Sequence, residues 1–309
     1  MKSYLEFIKS TRKLVTSAKK IAMGKTAAFE GGKKLSDIDT VLKIDADGKK
    51  RIAAKLKKIG LAPTAIIFAP HPDDECMMSL PLRFMEECGF SVIDAAVTLG
   101  SNKARQKGRK NELKDACDYL DWKMSVFGFE RISKKTRLSE SGYWNECVKK
   151  IADFILSKKP AVIFAPHTGD WNKTHIGTAY LVKDALKLAA SSWNGIVIET
   201  ELWQAMETPN LLSEISPEIL AAMMGALSCH TKEVERNPYH LNLVSYMADN
   251  VRRGAEIVGG QGGEAPDFAF GQIYRVLSKK GSSWKPAFES KILPSDISVS
   301  VLLEQILWK

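Results

Sequence analysis

Two short apolar runs in this chain stop on the same dipeptide. Ala65-Ile66-Ile67-Phe68-Ala69 leads into Pro70-His71, and Pro160-Ala161-Val162-Ile163-Phe164-Ala165 leads into Pro166-His167. Runs this short and this apolar suit strands buried on both faces. The phrases Phe68-Ala69-Pro70-His71 and Phe164-Ala165-Pro166-His167 nearly repeat each other. Two strands of one kind in one parallel sheet would each bring a histidine to the same edge. Around them, strand-like and helix-like segments alternate. Helices are expected from Ser79-Leu80-Pro81 to before Gly89, over Gly108 to Leu120, Asn145 to Ser157 and His175 to Ala190. Strands are expected over Val92 to Thr98, Met124 to Phe127 and Ile196 to Thr200. Ser79 is the expected cap of the first helix, with Pro81 in its first turn. The alternation predicts an α/β fold: a Rossmann-like, doubly wound, mainly parallel sheet with helices on both faces, plus N- and C-terminal extensions.

Open sheets of this kind bind ligands at the carboxyl ends of their strands. There the first loop reads His71-Pro72-Asp73-Asp74-Glu75. A helix cap needs one Asp or Ser, not an imidazole and three carboxylates. Crowded together, these groups repel unless a cation or a functional proton holds them. The second loop reads His167-Thr168-Gly169-Asp170-Trp171-Asn172-Lys173-Thr174-His175. The chain has five histidines, and three of them lie in these two loops beside Asp73, Asp74 and Asp170. A metal site explains this concentration better than structural histidines do. His71 and Asp74, three residues apart, can grip one ion. A third ligand from the second loop leaves an open position for water, the pattern of catalytic zinc. A nitrogen and oxygen donor set without thiolate suits Zn²⁺ and also admits Fe²⁺ or Mn²⁺. Asp73, between the two ligands in sequence, is placed to take a proton from water made acidic by the ion.

The two loops together resemble the PIG-L/LmbE-like family of metal-dependent N-acetylglucosaminyl deacetylases. Thr98-Leu99-Gly100, Arg109-x-x-Glu112, Pro209-Asn210-Leu211-Leu212 and Ala226-Leu227-x-x-His230 also resemble pieces of that family, over roughly residues 63–235. The resemblance implies a zinc-dependent N-deacetylase acting on a small N-acetylated sugar conjugate. It implies His71, Asp74 and His175 as metal ligands, Asp73 as general base and Arg109 as a sugar-binding residue. Asp170 and His230 are expected near substrate. Where the family often has the pattern Asp-Trp-His-Pro-Asp-His, this chain has Asp170-Trp171-Asn172-Lys173-Thr174-His175. The residue thought to steady the oxyanion is then Asn172, which can donate a hydrogen bond but carries no charge. Lys173 or His167 are candidates to compensate.

Each of these residues also has a plainer reading. Arg109 and Glu112 make an i,i+3 pair that suits a surface ion pair. His230 suits a helix end, and His240 after Asn237-Pro238-Tyr239 suits a loop. Glu75 reads either as support for a metal ligand or as a solvated acid at a helix start. Cys76 reads as an apolar filler.

Charge divides the chain. Residues 1–60 hold 16 Lys and Arg against 6 Asp and Glu, a surplus of +10, whereas the whole chain is +9. The basic character therefore belongs to a mainly helical N-terminal extension, 1–60. The deacetylase domain is expected over 61–235 and a C-terminal extension on the same domain over 236–309. The extension reads as helices with a solvated lysine face, or as a contact for an anionic surface. Gly259-Gly260-Gln261-Gly262-Gly263 lacks the strand-to-helix setting of a phosphate loop and reads as a mobile loop. The C-terminal stretch could serve as a lid or as a homo-oligomer contact. A 45% hydrophobic content supports a substantial core, and five cysteines at irregular spacing form no disulfide framework. With no signal-like start and no long apolar run, a cytoplasmic enzyme is expected. The rival from another class is a basic nucleic-acid- or membrane-associated protein with a degenerate site. A closer rival is a metal amidase acting on another acyl-amino compound.

Overall fold

The computed structural model describes residues 4–6, 8–10, 12–13, 46–281 and 283–308. Most of the basic extension lies outside the described residues; those described before residue 46, at 4–6, 8–10 and 12–13, are helical, and the rest of the expected helical extension lies outside them. Its described end is α1, Ala46–Lys58, which buries Ile52 and Leu56 four residues apart and turns its lysines to solvent. Such spacing puts both apolar side chains on one helical face.

The chain then forms β1 (Ala62–Ile67), α2 (Leu80–Cys88), β2 (Ser91–Ala96), α3 (Lys103–Tyr119), β3 (Lys123–Val126), α4 (Lys134–Ser139), α5 (Ser141–Lys158), β4 (Pro160–Pro166), α6 (Lys173–Ala189) and β5 (Ile196–Thr200). Next come β6 (Leu211–Glu214), α7 (Pro217–Ser228), α8 (Thr231–Arg236), α9 (Tyr239–Ile257), β7 (Gly271–Lys280), β8 (Ser283–Pro286), β9 (Lys291–Leu293) and α10 (Ser300–Leu307). All the strands join one sheet in the order β3-β2-β1-β4-β5-β7-β6-β9, and β8 pairs with β7. β1 to β5 are mutually parallel, and β7 runs against β5 and β6. Helices cover both faces, so the mainly parallel, doubly wound fold is the one found.

The strand order explains where a site must form. The chain steps outward from β1 to β2 to β3, then returns to place β4 on the other side of β1. At such a reversal the two flanking loops part and leave a crevice at the carboxyl ends. Ile66 pairs with Ile163 and Ile67 with Phe164, and Phe68 donates to the Phe164 carbonyl at 2.9 Å. The two repeated phrases thus end side by side. β4 is buried along its whole length, as a strand with helices on both faces must be.

α2 ends at Gly89 in the left-handed conformation, with φ of 70°, as a terminal glycine allows. Its start differs from expectation. Ser79 already has helical φ and ψ and makes no side-chain cap. Its hydroxyl instead meets Gln272 Oε1 at 3.0 Å and the Tyr274 hydroxyl at 3.1 Å, tying the loop to β7. His240 is likewise no loop residue: it is buried on α9, whose first turn begins just after Pro238.

Residues after 236 supply β7, β8 and β9 to the sheet. They are also tied to α2 by buried charge. Arg83 meets Glu87 at 2.6 Å and donates to the Ile297 carbonyl at 2.7 Å, while Glu87 accepts from the Val299 amide at 2.7 Å. Among the described residues no helix is long and apolar enough to cross a membrane.

Candidate active site

His71, Asp74 and His175 converge in the crevice, each offering a ligand atom within 4.8 Å of the others. Asp74 is the hub. Its Oδ2 accepts from the His71 backbone N–H at 2.9 Å and lies 3.2 Å from His71 Nδ1 and 3.2 Å from His175 Nε2. Burial raises the pKa of Asp74, but the charge of His175 and close contacts with both imidazoles outweigh it and hold the group well below the usual carboxylate range. Burial disfavours a charged His175, yet Asp74 and Asp170 win and push its pKa up to about 10. Without metal the site therefore traps a proton between carboxylates, which is how a cradle built for a cation behaves. His175 Nε2 is buried and finds no aligned hydrogen-bond partner.

Asp73 sits at φ 117°, outside the ordinary range of a non-glycine residue. Such a conformation costs on the order of 1–3 kcal/mol and persists only where its surroundings impose it. Here Glu75 Oε2 accepts the Asp73 N–H at 2.8 Å and the Asp73 carbonyl accepts from Cys76 N at 3.2 Å. The twist lets consecutive carboxylates serve different tasks: Asp74 turns to the histidines, and Asp73 lines the cavity 3.5 Å from Arg109 Nη2. Burial first, and then the charge of Asp74, push the Asp73 pKa well above its usual range.

Glu75 is the anchor of this loop. It is fully buried, takes the Cys76 thiol at 3.2 Å and meets His230 Nε2 at 2.7 Å. Glu75 is therefore no solvated acid, and what it supports is the Asp73 backbone and His230 rather than a candidate metal ligand. His230 does not line the cavity. It is wholly buried and reaches the site only through Glu75.

The second loop also departs from expectation in detail. Asp170 does not face the cavity. Its Oδ2 lies 3.3 Å from His175 Nδ1 and accepts from Trp203 N at 3.2 Å, while Oδ1 accepts from Asn172 N at 2.8 Å. A carboxylate behind a ligating imidazole fixes the ring and its tautomer. His167 is not at the reacting centre either. Its Nε2 lies 2.9 Å from the Gln204 carbonyl and its Nδ1 accepts from Gly169 N at 3.2 Å, so both ring nitrogens are used in holding loops. Asn172 does line the cavity. Its Oδ1 caps α6, accepting from Thr174 N at 2.9 Å and His175 N at 3.4 Å. The cap fixes which end of the amide is the oxygen and leaves Nδ2 outside it as a donor.

Arg109 projects from α3, donates to the Pro72 carbonyl at 2.8 Å and lines the same cavity. Gly100 lies against it at φ 82°, where an added methyl group would collide with Arg109 Nη1. Arg109 and Glu112 do not pair. Glu112 accepts instead from the Thr231 hydroxyl and the Lys232 N–H, both at 3.0 Å. The cavity measures about 270 Å³ and is also lined by Arg105, Arg236, Glu233, Trp203 and Tyr239. Arg105 meets Glu233 at 2.8 Å and Arg236 meets it at 2.6 Å. These residues were not foreseen in the sequence. Arg105, one helical turn before Arg109, carried the one available signal.

The fold and the cluster at its carboxyl edge define an α/β protein with a candidate His-Asp-His metal centre. Residues 66–186 match the family described as PIG-L, GlcNAc-PI de-N-acetylase. Over those residues the chain is similar to the PIG-L/LmbE-like deacetylases. No curated protein matches it. Among solved structures it is similar to the N,N'-diacetylchitobiose deacetylase from Pyrococcus horikoshii, at 14% identity and TM-score 0.51, covering 78% of this chain and 95% of that one. It is also similar to the zinc-inhibited form of a teicoplanin deacetylase, at 16% identity and TM-score 0.51, covering 71% of this chain and 99% of that one. At these identities the likeness is one of fold.

Proposed function

We propose that this protein is a metal-dependent N-deacetylase that hydrolyses the acetamide of an N-acetylglucosamine-type compound. The observation that carries the reading is the meeting of His71, Asp74 and His175 on a cavity that Asp73, Arg109 and Asn172 also line. The donor set fits a divalent cation: two imidazoles and a carboxylate, a buried Nε2 that makes no aligned hydrogen bond although Asp74 lies beside it, and Asp170 behind His175. Zn²⁺ is the first choice, with Fe²⁺ and Mn²⁺ the alternatives that the same donors accept. A cation held there supplies Lewis acidity, lowering the pKa of water and polarising a carbonyl.

The protein's own residues do the rest. Asp73 takes a proton from the attacking water as its oxygen bonds to the carbonyl carbon. Asn172 Nδ2 donates to the carbonyl oxygen as negative charge gathers there. Asp73 returns the proton to the nitrogen as the carbon–nitrogen bond breaks, giving acetate and a free amine. Arg109 steadies Asp73 and offers its remaining donors to substrate hydroxyls. A deacetylase of N,N'-diacetylchitobiose among the fold neighbours supports an N-acetylated sugar as the substrate class.

The test is amine release from N-acetylglucosaminides by protein loaded with Zn²⁺, Fe²⁺ or Mn²⁺. Asp73→Asn is expected to keep its metal and lose at least ~10²-fold in rate, the scale of a lost acid–base group. Full activity in that variant would overturn the assignment. The rival reading, a basic binding protein with a degenerate site, calls instead for no bound metal and salt-sensitive retention on DNA.

A further inference from the structure

A second chamber opens on the same two carboxylates. It measures about 300 Å³ and is lined by Asp73 and Asp74 together with Met77, Leu202, Leu227, Leu243 and Tyr246. Trp203 and Tyr239 line both chambers, with their rings 5.5 Å apart at 73°. Asp73 and Asp74 likewise border both spaces. The first chamber is polar, with Arg105, Arg109 and Arg236 around it. The second is lined mostly by aliphatic and aromatic side chains, with the two carboxylates, Asn237 and Asn242 as its polar groups.

Hydrolysis of an amide divides the substrate at the carbonyl carbon. With that carbon beside Asp73 and the candidate metal cluster, the amine half and the acyl half leave in different directions, one into each chamber. A hydroxyl-rich amine half suits the arginine-lined space. The apolar space then receives the acyl half. An acetyl group offers it one methyl. A cavity of about 150 Å³ is enough to hold benzene, so about 300 Å³ has room for considerably more than six carbons. Filling such a space with water would be unfavourable, and filling it with methylenes favourable.

We propose that this enzyme acts on N-acyl amides whose acyl chain is longer than acetyl, and that the chamber formed by Met77, Leu202, Leu227, Leu243 and Tyr246 is the acyl-chain subsite. The proposal rests on the hydrolase reading above and deepens it by naming the acyl class.

The experiment compares kcat/KM of the metal-loaded enzyme on N-acetyl-, N-butanoyl-, N-hexanoyl- and N-octanoylglucosamine. Each fully buried methylene is expected to raise the value by roughly fourfold, so hexanoyl should exceed acetyl by about two orders of magnitude. Asn242→Trp, on the exposed rim of the chamber, should bring the octanoyl-to-acetyl ratio down toward one. A readout independent of turnover is calorimetric titration of the metal-free protein with hexanamide and acetamide, where hexanamide should bind at least tenfold more tightly. Rates that fall steadily from acetyl to hexanoyl, or equal binding of the two amides, would overturn the acyl subsite while leaving the deacetylase reading intact. Metal-loaded protein that hydrolyses none of the four compounds, acetyl included, would overturn both.

Discussion

Asp170→Asn changes one oxygen for one nitrogen and tests how the second loop prepares His175. Asp170 Oδ1 accepts from Asn172 N at 2.8 Å, and Oδ2 faces Trp203 N at 3.2 Å and His175 Nδ1 at 3.3 Å. An asparagine that keeps its oxygen on Asn172 must turn its NH₂ toward two groups that now donate. It can satisfy one of them only by donating to His175 Nδ1. The ring proton then moves to Nε2, the nitrogen that faces Asp74 and is assigned to the metal. The wrong tautomer blocks ligation, so the cost falls on metal affinity. Removing a carboxylate that backs a ligating histidine typically weakens binding 10–100-fold, about 1.4–2.7 kcal/mol. Competition titration of Zn²⁺ against a fluorescent chelator at neutral pH measures this directly. Asp184→Asn is the control: Asp184 pairs with Arg137 at 2.7 Å and with Trp144, away from the cluster. It should leave zinc affinity unchanged. If Asp170→Asn binds zinc within twofold of the parent while remaining folded, the role given to Asp170 is wrong.

Other substitutions separate stability from chemistry. Asn172→Ala should lose about 1 kcal/mol of stability through the α6 cap and also lower kcat. Asn172→Asp should keep the cap and melting temperature while losing the cavity donor and the rate, so equal activity of Asn172→Asp and the parent would remove Asn172 from the chemistry. Arg83→Ala leaves Glu87 buried without its partner. Urea unfolding should show a loss of about 3–5 kcal/mol, and a loss below 1 kcal/mol would mean the pair is replaceable. The metal-stripped protein should also show a defined pH dependence. His175 holds its proton up to about 10 in the fold, against about 6.5 when unfolded. A raised folded-state value stabilises fully below pH 6.5, and that stability is lost as pH rises through 10. Unfolding free energy of the stripped protein should therefore decline between these limits. Zinc needs the neutral ring and should flatten the decline. A level profile without metal would contradict the His175 assignment.

The fold was legible because its signal is local. Strands such as Ala65–Phe68 and Ile163–Ala165 are apolar throughout, and helices such as α6 carry caps and periodic burial that short windows reveal. The site was legible only as two loops, since their meeting depends on the β1–β4 adjacency that follows from the fold. Side-chain direction was not legible. Loop position and the family resemblance point Asp170 and His230 toward substrate and His167 toward the oxyanion, but each is spent on a neighbour inside the protein: His175, Glu75 and the Gln204 carbonyl. Such choices depend on distances across long sequence separations. The C-terminal strands were missed for a related reason. β7 carries a buried Gln272 and a half-buried Arg275, so it lacks the apolar run that marked β1 and β4, and these polar groups find partners only in the folded chain. Trp203, Glu233 and Tyr239 came from segments with no motif.

Crystals of the protein grown with zinc and measured at the zinc absorption edge give the sharpest view of the centre. One anomalous peak is expected, with His71, Asp74 and His175 donor atoms about 2.0–2.2 Å from it. A protein that takes up no zinc, or a peak at the buried Glu75, Cys76 and His230 group instead, would contradict a centre shared by the two strand-end loops.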